Sequence, residues 1–258
     1  MPFFKAAGKL VYYAHVPKCG GSSVDTYLRE RFGPLAFHDR TYSTQPPDRR
    51  WTRTSPQHVD AAALDRLIPL ALFDAVFAVV RHPVRRLMSM YHFQIEVEKS
   101  MPADMDFSTW LRQLDPDGTD QPFAFDNHIR PMARIVPDGA AVFYLEHGLD
   151  PLVAWCDLLV GDTRGPRAVR QINQRGDYLK SDQPKSQLQP DAADLALIAR
   201  LYTDDFSRFG YDPAQKLPKA TAPVLTVDFL ADRDRALARA RSPLAQFRRR
   251  IRRRLNRL

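Results

Sequence analysis

Apolar residues in this chain fall into short dense blocks, each followed by a polar hinge and then by apolar positions at helical spacing. Residues 10–14 (LVYYA) form the first block and predict a buried strand. From Ser22 onward Val24, Tyr27, Leu28 and Phe32 recur every three to four residues, which predicts a helix. Residues 73–80 (FDAVFAVV) repeat the arrangement: a second strand, then Arg81-His82-Pro83, then apolar residues at 84, 87, 88, 91 and 95 on one helical face. Pro83 suits the first turn of that helix. A third unit joins a strand at 141–145 to a helix at 150–160 carrying Leu152, Val153, Trp155, Cys156 and Leu159. Residues 161–190 are polar throughout and predict a long loop able to close over a ligand. Asp191 then caps a predicted helix with Leu195, Ile198, Tyr202, Phe206 and Phe209 on one face, running to Gly210. Strands that alternate with helices predict an α/β fold with a mainly parallel sheet and ligands at the strands' carboxyl ends.

The first hinge, Pro17-Lys-Cys-Gly-Gly-Ser-Ser23, has the composition of an anion cradle. Gly20 and Gly21 let backbone approach a ligand, Ser22 or Ser23 can cap the helix, and the helix N-terminus attracts negative charge. Lys18 adds a mobile positive charge. A Walker A loop places Lys-Ser/Thr directly after its second glycine, whereas here the lysine comes first. Gly-Gly also serves as plain turn punctuation between strand and helix. The second hinge offers Arg81, with Ser89 about two helical turns on, as a forked cation and a hydroxyl for a second phosphate. Two separate anion sites point to a ligand phosphorylated at both ends.

The net charge of +8 suggests a nucleic-acid partner until it is located. The last twelve residues, FRRRIRRRLNRL, hold seven arginines and no acid, which leaves the rest of the chain at +1. Within that tail Leu244, Phe247, Ile251, Leu255 and Leu258 make one apolar stripe, so residues 244–258 predict a basic amphipathic helix that lies on an anionic membrane, docks in a partner groove or packs on its own body. Nucleic acid is not expected, because the tail lacks interleaved aromatics. Composition shifts at Asp212, which predicts a domain over 1–211 and a C-terminal extension over 212–258. Two cysteines, Cys19 and Cys156, form neither a metal spacing nor a disulfide framework, and no stretch approaches the roughly 20 apolar residues of a membrane span. A cytoplasmic protein, peripheral at most to the inner face of the membrane, is the expectation. Cys19 inside the anion loop is read as a small residue rather than a nucleophile.

His15 to Ser23 resembles, position by position, the H-x-P-K-x-G-G-T/S-S loop of sulfotransferases that use 3′-phosphoadenosine 5′-phosphosulfate (PAPS). Arg81, Pro83, Arg86, Ser89 and Tyr91 resemble the same family's R-D-P-x-x-R-x-x-S-x-Y motif, with His82 in place of the acid. Weaker resemblances are Asp126-Asn127 to Arg130, Phe143 to Glu146, and Tyr202 to Phe206 before Phe209-Gly210-Tyr211. The resemblance is strongest to the carbohydrate O-sulfotransferase branch, uronyl 2-O-sulfotransferase-like and bacterial members included. It implies a P-loop-like three-layer fold and transfer of the sulfuryl group of PAPS to a carbohydrate or glycolipid hydroxyl, with no metal. Lys18 would contact the bridging oxygen, residues Cys19, Gly20, Gly21, Ser22 and Ser23 would hold the 5′-phosphosulfate, and Arg81 and Ser89 the 3′-phosphate.

The acceptor hydroxyl must lose a proton as it attacks. His58 is the chosen base, because uronyl 2-O-sulfotransferases carry a base histidine in a similar G-H-V context, although Gln57 replaces the glycine here. His15 reads as a structural neighbour of the loop, His38, His92, His128 and His147 as surface or core residues, and Glu30 and Glu146 as fallback bases. Arg130, Arg175, Lys180 and Lys185 are either contacts for an acidic glycan or solvated charge. The rival readings are a P-loop-type kinase or NTPase, and a membrane- or nucleic-acid-binding protein acting through its arginine tail.

Overall fold

The computed structural model describes residues 1–172 and 188–241. At its centre is a four-stranded sheet in the order β1 (Phe3–Ala6), β2 (Lys9–Ala14), β3 (Ala75–Val80) and β4 (Ala141–Tyr144). β1 pairs antiparallel with β2, and β2, β3 and β4 run parallel. The three parallel strands are the three apolar blocks of the sequence, and Val11 to Ala14 and Phe77 to Val80 are fully buried, as a strand covered on both faces requires. β1 has no counterpart among the predicted strands. It returns on β2 through Ala7 and Gly8, both at positive φ (49° and 82°), a tight hairpin turn that Gly8 favours and Ala7 disguises.

Nine helices accompany the sheet among the described residues: α1 (Gly21–Phe32), α2 (Ala61–Leu67), α3 (Pro83–Phe93), α4 (Phe107–Arg112), α5 (Met132–Ile135), α6 (Asp150–Val160), α7 (Ala192–Leu201), α8 (Thr203–Arg208) and α9 (Val227–Arg241). α1, α3 and α6 each start just beyond the carboxyl end of a parallel strand, so the helix N-termini and the hinges before them gather at one end of the sheet. The core beneath them combines Leu28, Leu87, Met90, Trp110, Leu152 and Cys156 with the strand residues.

The helix predicted from Asp191 to Gly210 is two helices. Asp191 does cap the first, in a capping box with Asp194, whose carboxylate also accepts from Ser108 Oγ on α4 (2.9 Å). The chain then breaks at Tyr202 (φ −120°), whose hydroxyl donates to Ile129 O (2.8 Å). The break turns Asp205 inward, where its carboxylate accepts from the Met132 and Ala133 N–H groups (3.0 and 2.8 Å) and caps α5. Beyond Asp212 the chain is more ordered than its composition suggests. α9 buries Phe229 under the Arg167 guanidinium (5.1 Å to the ring centroid), and Arg233 pairs with Asp150 at the start of α6 (2.7 Å). Residues 244–258, with their predicted amphipathic helix, and Arg175, Lys180 and Lys185 in the predicted loop lie outside the described residues.

Candidate active site

A cleft of about 1350 Å³ opens at the carboxyl ends of β2 and β3. It is lined by Lys18, Gly20, Gly21, Ser22 and Ser23 from the first hinge and by Arg81 and Ser89 from the second. His58 lines it as well, so the residues singled out from the sequence meet on one surface, with the exception of Cys19. The Cys19 thiol turns inward against Met132 Sδ (3.9 Å), and burial pushes it up to about 12. Such a thiol is inert at neutral pH.

α1 begins without a side-chain cap, since its flanking residue is Gly20 at φ 86°. Ser23 does not perform the predicted capping: its Oγ accepts from Ile172 N–H (2.9 Å) instead. The N-terminus of α1 lines the cleft, and its flanking glycine supplies no side chain to answer the dipole. The two glycines answer to protein packing as much as to a ligand. A Cβ on Gly21 would lie 1.8 Å from His15 Nε2, and one on Gly20 would lie 3.1 Å from Leu145 Cδ1. Lys18 itself is left-handed (φ 65°), a conformation costing a non-glycine residue about 1 kcal/mol or more and found where a site over-determines the backbone.

Lys18 Nζ rests 3.6 Å from the centroid of the Phe93 ring. Burial, with Arg81 adding to it, pulls the amine down to about 8. Arg81 donates to Lys18 O (3.2 Å), and burial pulls its guanidinium down as well. Arg85 and Ser89 on α3 line the cleft beside Arg81, which precedes the helix. The other residues of the arginine motif serve the fold. Tyr91 donates to Met105 O (2.6 Å), and the His82 ring contacts Asp212 O (3.0 Å), which gives the histidine in the acid's place a structural task. Arg86 is 1 % exposed and donates to Pro17 O (3.1 Å), His128 O (2.8 Å) and Arg130 O (2.7 Å), with Asp205 3.8 Å away. Burial pushes Asp205 up, against the pull of Arg86 and two backbone N–H groups.

The opposite wall is a cluster of imidazoles. His58 meets His15 and His128 edge to face, with ring centroids 5.1 and 4.8 Å apart. Burial takes His15 down to about 3 and His128 well below its ordinary value, so both are neutral at pH 7. His38 Nε2 lies 3.1 Å from Asp25 Oδ2. His58 Nδ1 lies 2.7 Å from Asp126 Oδ2, and the Ser55 hydroxyl donates to the same oxygen (2.6 Å). Burial opposes ionisation of Asp126, but the charge and hydrogen bond of His58, with His128 and Ser55, hold its carboxyl well below the usual carboxylate range. Among the described residues His58, Asp126 and His128 bring metal-ligand atoms within 4.8 Å of one another, yet the Asp126 carboxylate already accepts from Ser55 N, Ser55 Oγ and His58.

Both fallback bases are engaged away from the cleft. Glu146 accepts from His82 N–H (2.9 Å) and the Tyr211 hydroxyl (3.0 Å), and Glu30 pairs with Arg170. Asp126, which the sequence showed only within a weaker resemblance, and Ser55 and Arg85 also line the cleft, though sequence reasoning gave them no role. Arg85 sits four residues from both Arg81 and Ser89, a spacing that could have found it.

No curated protein and no solved structure matches the chain. A model described as that of the sulfotransferase family matches residues 2–212, which takes in both hinges, His58 and Asp126.

Proposed function

We propose, for a chain that belongs to the sulfotransferase family, that the cleft receives PAPS as sulfuryl donor and a carbohydrate or glycoconjugate hydroxyl as acceptor, for in-line displacement at sulfur. The observation that carries the reading is the meeting of Lys18, Arg81, Ser89 and His58 on one surface. A polyanion suits the donor half, because Lys18 and Arg81 are largely removed from water and neither makes an ion pair among the described residues. PAPS brings an activated sulfuryl group on a phosphate leaving group. Lys18 neutralises charge on the bridging oxygen, and the backbone from Cys19 to Ser23 cradles the 5′ end, as the phosphate loop of a P-loop-like three-layer fold. Arg81 and Ser89 hold the 3′-phosphate, and His58 takes the acceptor proton. Asp39, Tyr42, Ser43 and Gln57, on the His58 side, offer the hydrogen-bond partners that a sugar's several hydroxyls need. This positioning and charge stabilisation require no metal. A kinase reading is less well supported, since Lys18 precedes the glycines.

Calorimetric titration with 3′-phosphoadenosine 5′-phosphate (PAP), with ATP and magnesium as control, tests the donor site in wild type and Arg81→Ala. Micromolar PAP binding that weakens at least tenfold in the variant supports the reading, taking a charge-assisted bond to phosphate as about 1.5–3 kcal/mol. Preference for ATP, or no binding, refutes it.

A further inference from the structure

We propose that Asp126 is the positioning residue of the proton-transfer unit, holding His58 as the Nδ1–H tautomer so that Nε2 is the nitrogen offered to the acceptor hydroxyl. The proposal rests on the reading of His58 as base. An ionised carboxylate only accepts hydrogen bonds, and Asp126 Oδ2 lies 2.7 Å from His58 Nδ1, so the ring proton belongs on Nδ1. Ser55 spends its single hydroxyl proton on Asp126 (2.6 Å), which leaves its oxygen as a second acceptor for Nδ1–H at 2.9 Å. His58 Nε2 has no hydrogen-bond partner among the described residues, and the ring lines the cleft.

The backbone that presents Asp126 supports the same assignment. Phe125, Asp126 and Asn127 are all left-handed (φ 50°, 57° and 59°), following Phe123 at 67°. Asp and Asn tolerate that region and Phe does not, so the turn persists because its surroundings impose it. Asn127 Nδ2 donates to His58 O (3.0 Å), so the turn grips the histidine by its backbone as well as its ring. Arg86 fixes the exit of the turn through His128 O and Arg130 O. Strain at Phe125, directly before the residues that carry the carboxylate and clamp the imidazole, marks a geometry held for function.

The groups facing His58 are His15 from the end of β2, Asp25 from α1, His128 and Asp126. Lys18 faces His128, and the terminal amine faces Asp25 and Asp126. Burial keeps His15 and His128 neutral, and Asp25 is shared between His15 and His38. Asp126 therefore answers the charge that arises on His58. In the step itself the acceptor O–H proton passes to Nε2 while the acceptor oxygen bonds to sulfur. The bond from sulfur to the bridging oxygen breaks and its electron pair leaves with PAP; Asp126 stays ionised and gains no proton.

Nitrogen-15 imidazole spectra of the full chain, with His58 assigned by loss of its signals in His58→Gln, read the tautomer directly. Wild type should show a protonated Nδ1 and a bare Nε2, whereas Asp126→Asn should populate the Nε2–H form. With water as sulfuryl acceptor, PAP release from PAPS should fall about 10²-fold in the variant, the lower range for general-base catalysis. The acidic limb of its pH profile should move to lower pH, because removing the carboxylate disfavours the imidazolium. PAP affinity should stay within about twofold. A wild-type ring protonated at Nε2 overturns the proposal whether or not the variant folds, and so does an Asp126→Asn profile that keeps its limb. Failure of wild type to bind PAP overturns the donor reading instead, while the tautomer still decides the pairing.

Discussion

Burial pulls the Lys18 amine from an ordinary 10.5 to about 8, with the Arg81 charge adding to the shift and Glu98 opposing it. In the empty cleft at pH 8 this amine is therefore about half protonated. A phosphate set against Nζ favours the charged form, so PAP binding at pH 8 should draw roughly half a proton from solution, and at pH 6.5 almost none. Calorimetry in buffers of different ionisation enthalpy measures that number, and the difference between wild type and Lys18→Met isolates this residue from the ligand's own titration. The shift also bears on stability. Because the folded value lies below the unfolded one, the charged amine destabilises the empty fold at every pH below about 8, and the cost disappears as pH rises from about 8 to 10.5. The full shift amounts to at most about 3 kcal/mol, less about 1 kcal/mol for the contact with Phe93. Lys18→Met should then raise the melting temperature by a few degrees at pH 7, with the gap closing by pH 10.5. Equal proton uptake in wild type and variant at pH 8, or a variant less stable at pH 7, would refute the reasoning.

Gly21→Ala should lower both stability and PAP affinity, the latter more than tenfold, because its Cβ meets His15 Nε2 at 1.8 Å; adding His15→Ala should restore most of the stability in urea unfolding, and no recovery would show that the clash is not the cause. Arg86→Met strips three carbonyls of their donor and leaves Asp205 buried without its cation. A loss of about 3–5 kcal/mol in urea unfolding is expected, and one below about 1 kcal/mol would show that these contacts contribute little.

The three parallel strands and the helices after them were legible because each is a dense apolar block that stops at a polar hinge, a signal carried by neighbouring residues. The meeting of Lys18, Arg81 and Ser89 in one cleft was legible for the same reason, since each stands at a fixed offset from a strand end. β1 was hidden by its four-residue length and by an alanine in a turn position that usually calls for Asn, Asp or Gly. The break at Tyr202 was hidden because apolar spacing continues through it; what ends the helix is the demand of α5 for a cap, met by Asp205 from far along the chain. Asp126 was the hardest to see. It lies 68 residues from His58 on an irregular left-handed turn, so no periodicity connects them.

Arg86 has a consequence for how such a cleft can be altered. One guanidinium fastens the start of the first hinge at Pro17 and the far side of the Asp126 turn at His128 and Arg130, so the two halves of the cleft share a single buried joint. A chimera that exchanges only the segments on the His58 side would part that joint in the middle. Grafts should instead carry Pro17, Ser55, His58, Arg86, residues 125–130 and Asp205 together, as one cassette with its own internal wiring, and leave the proposed acceptor side to be varied along residues 38–54, which lie outside it.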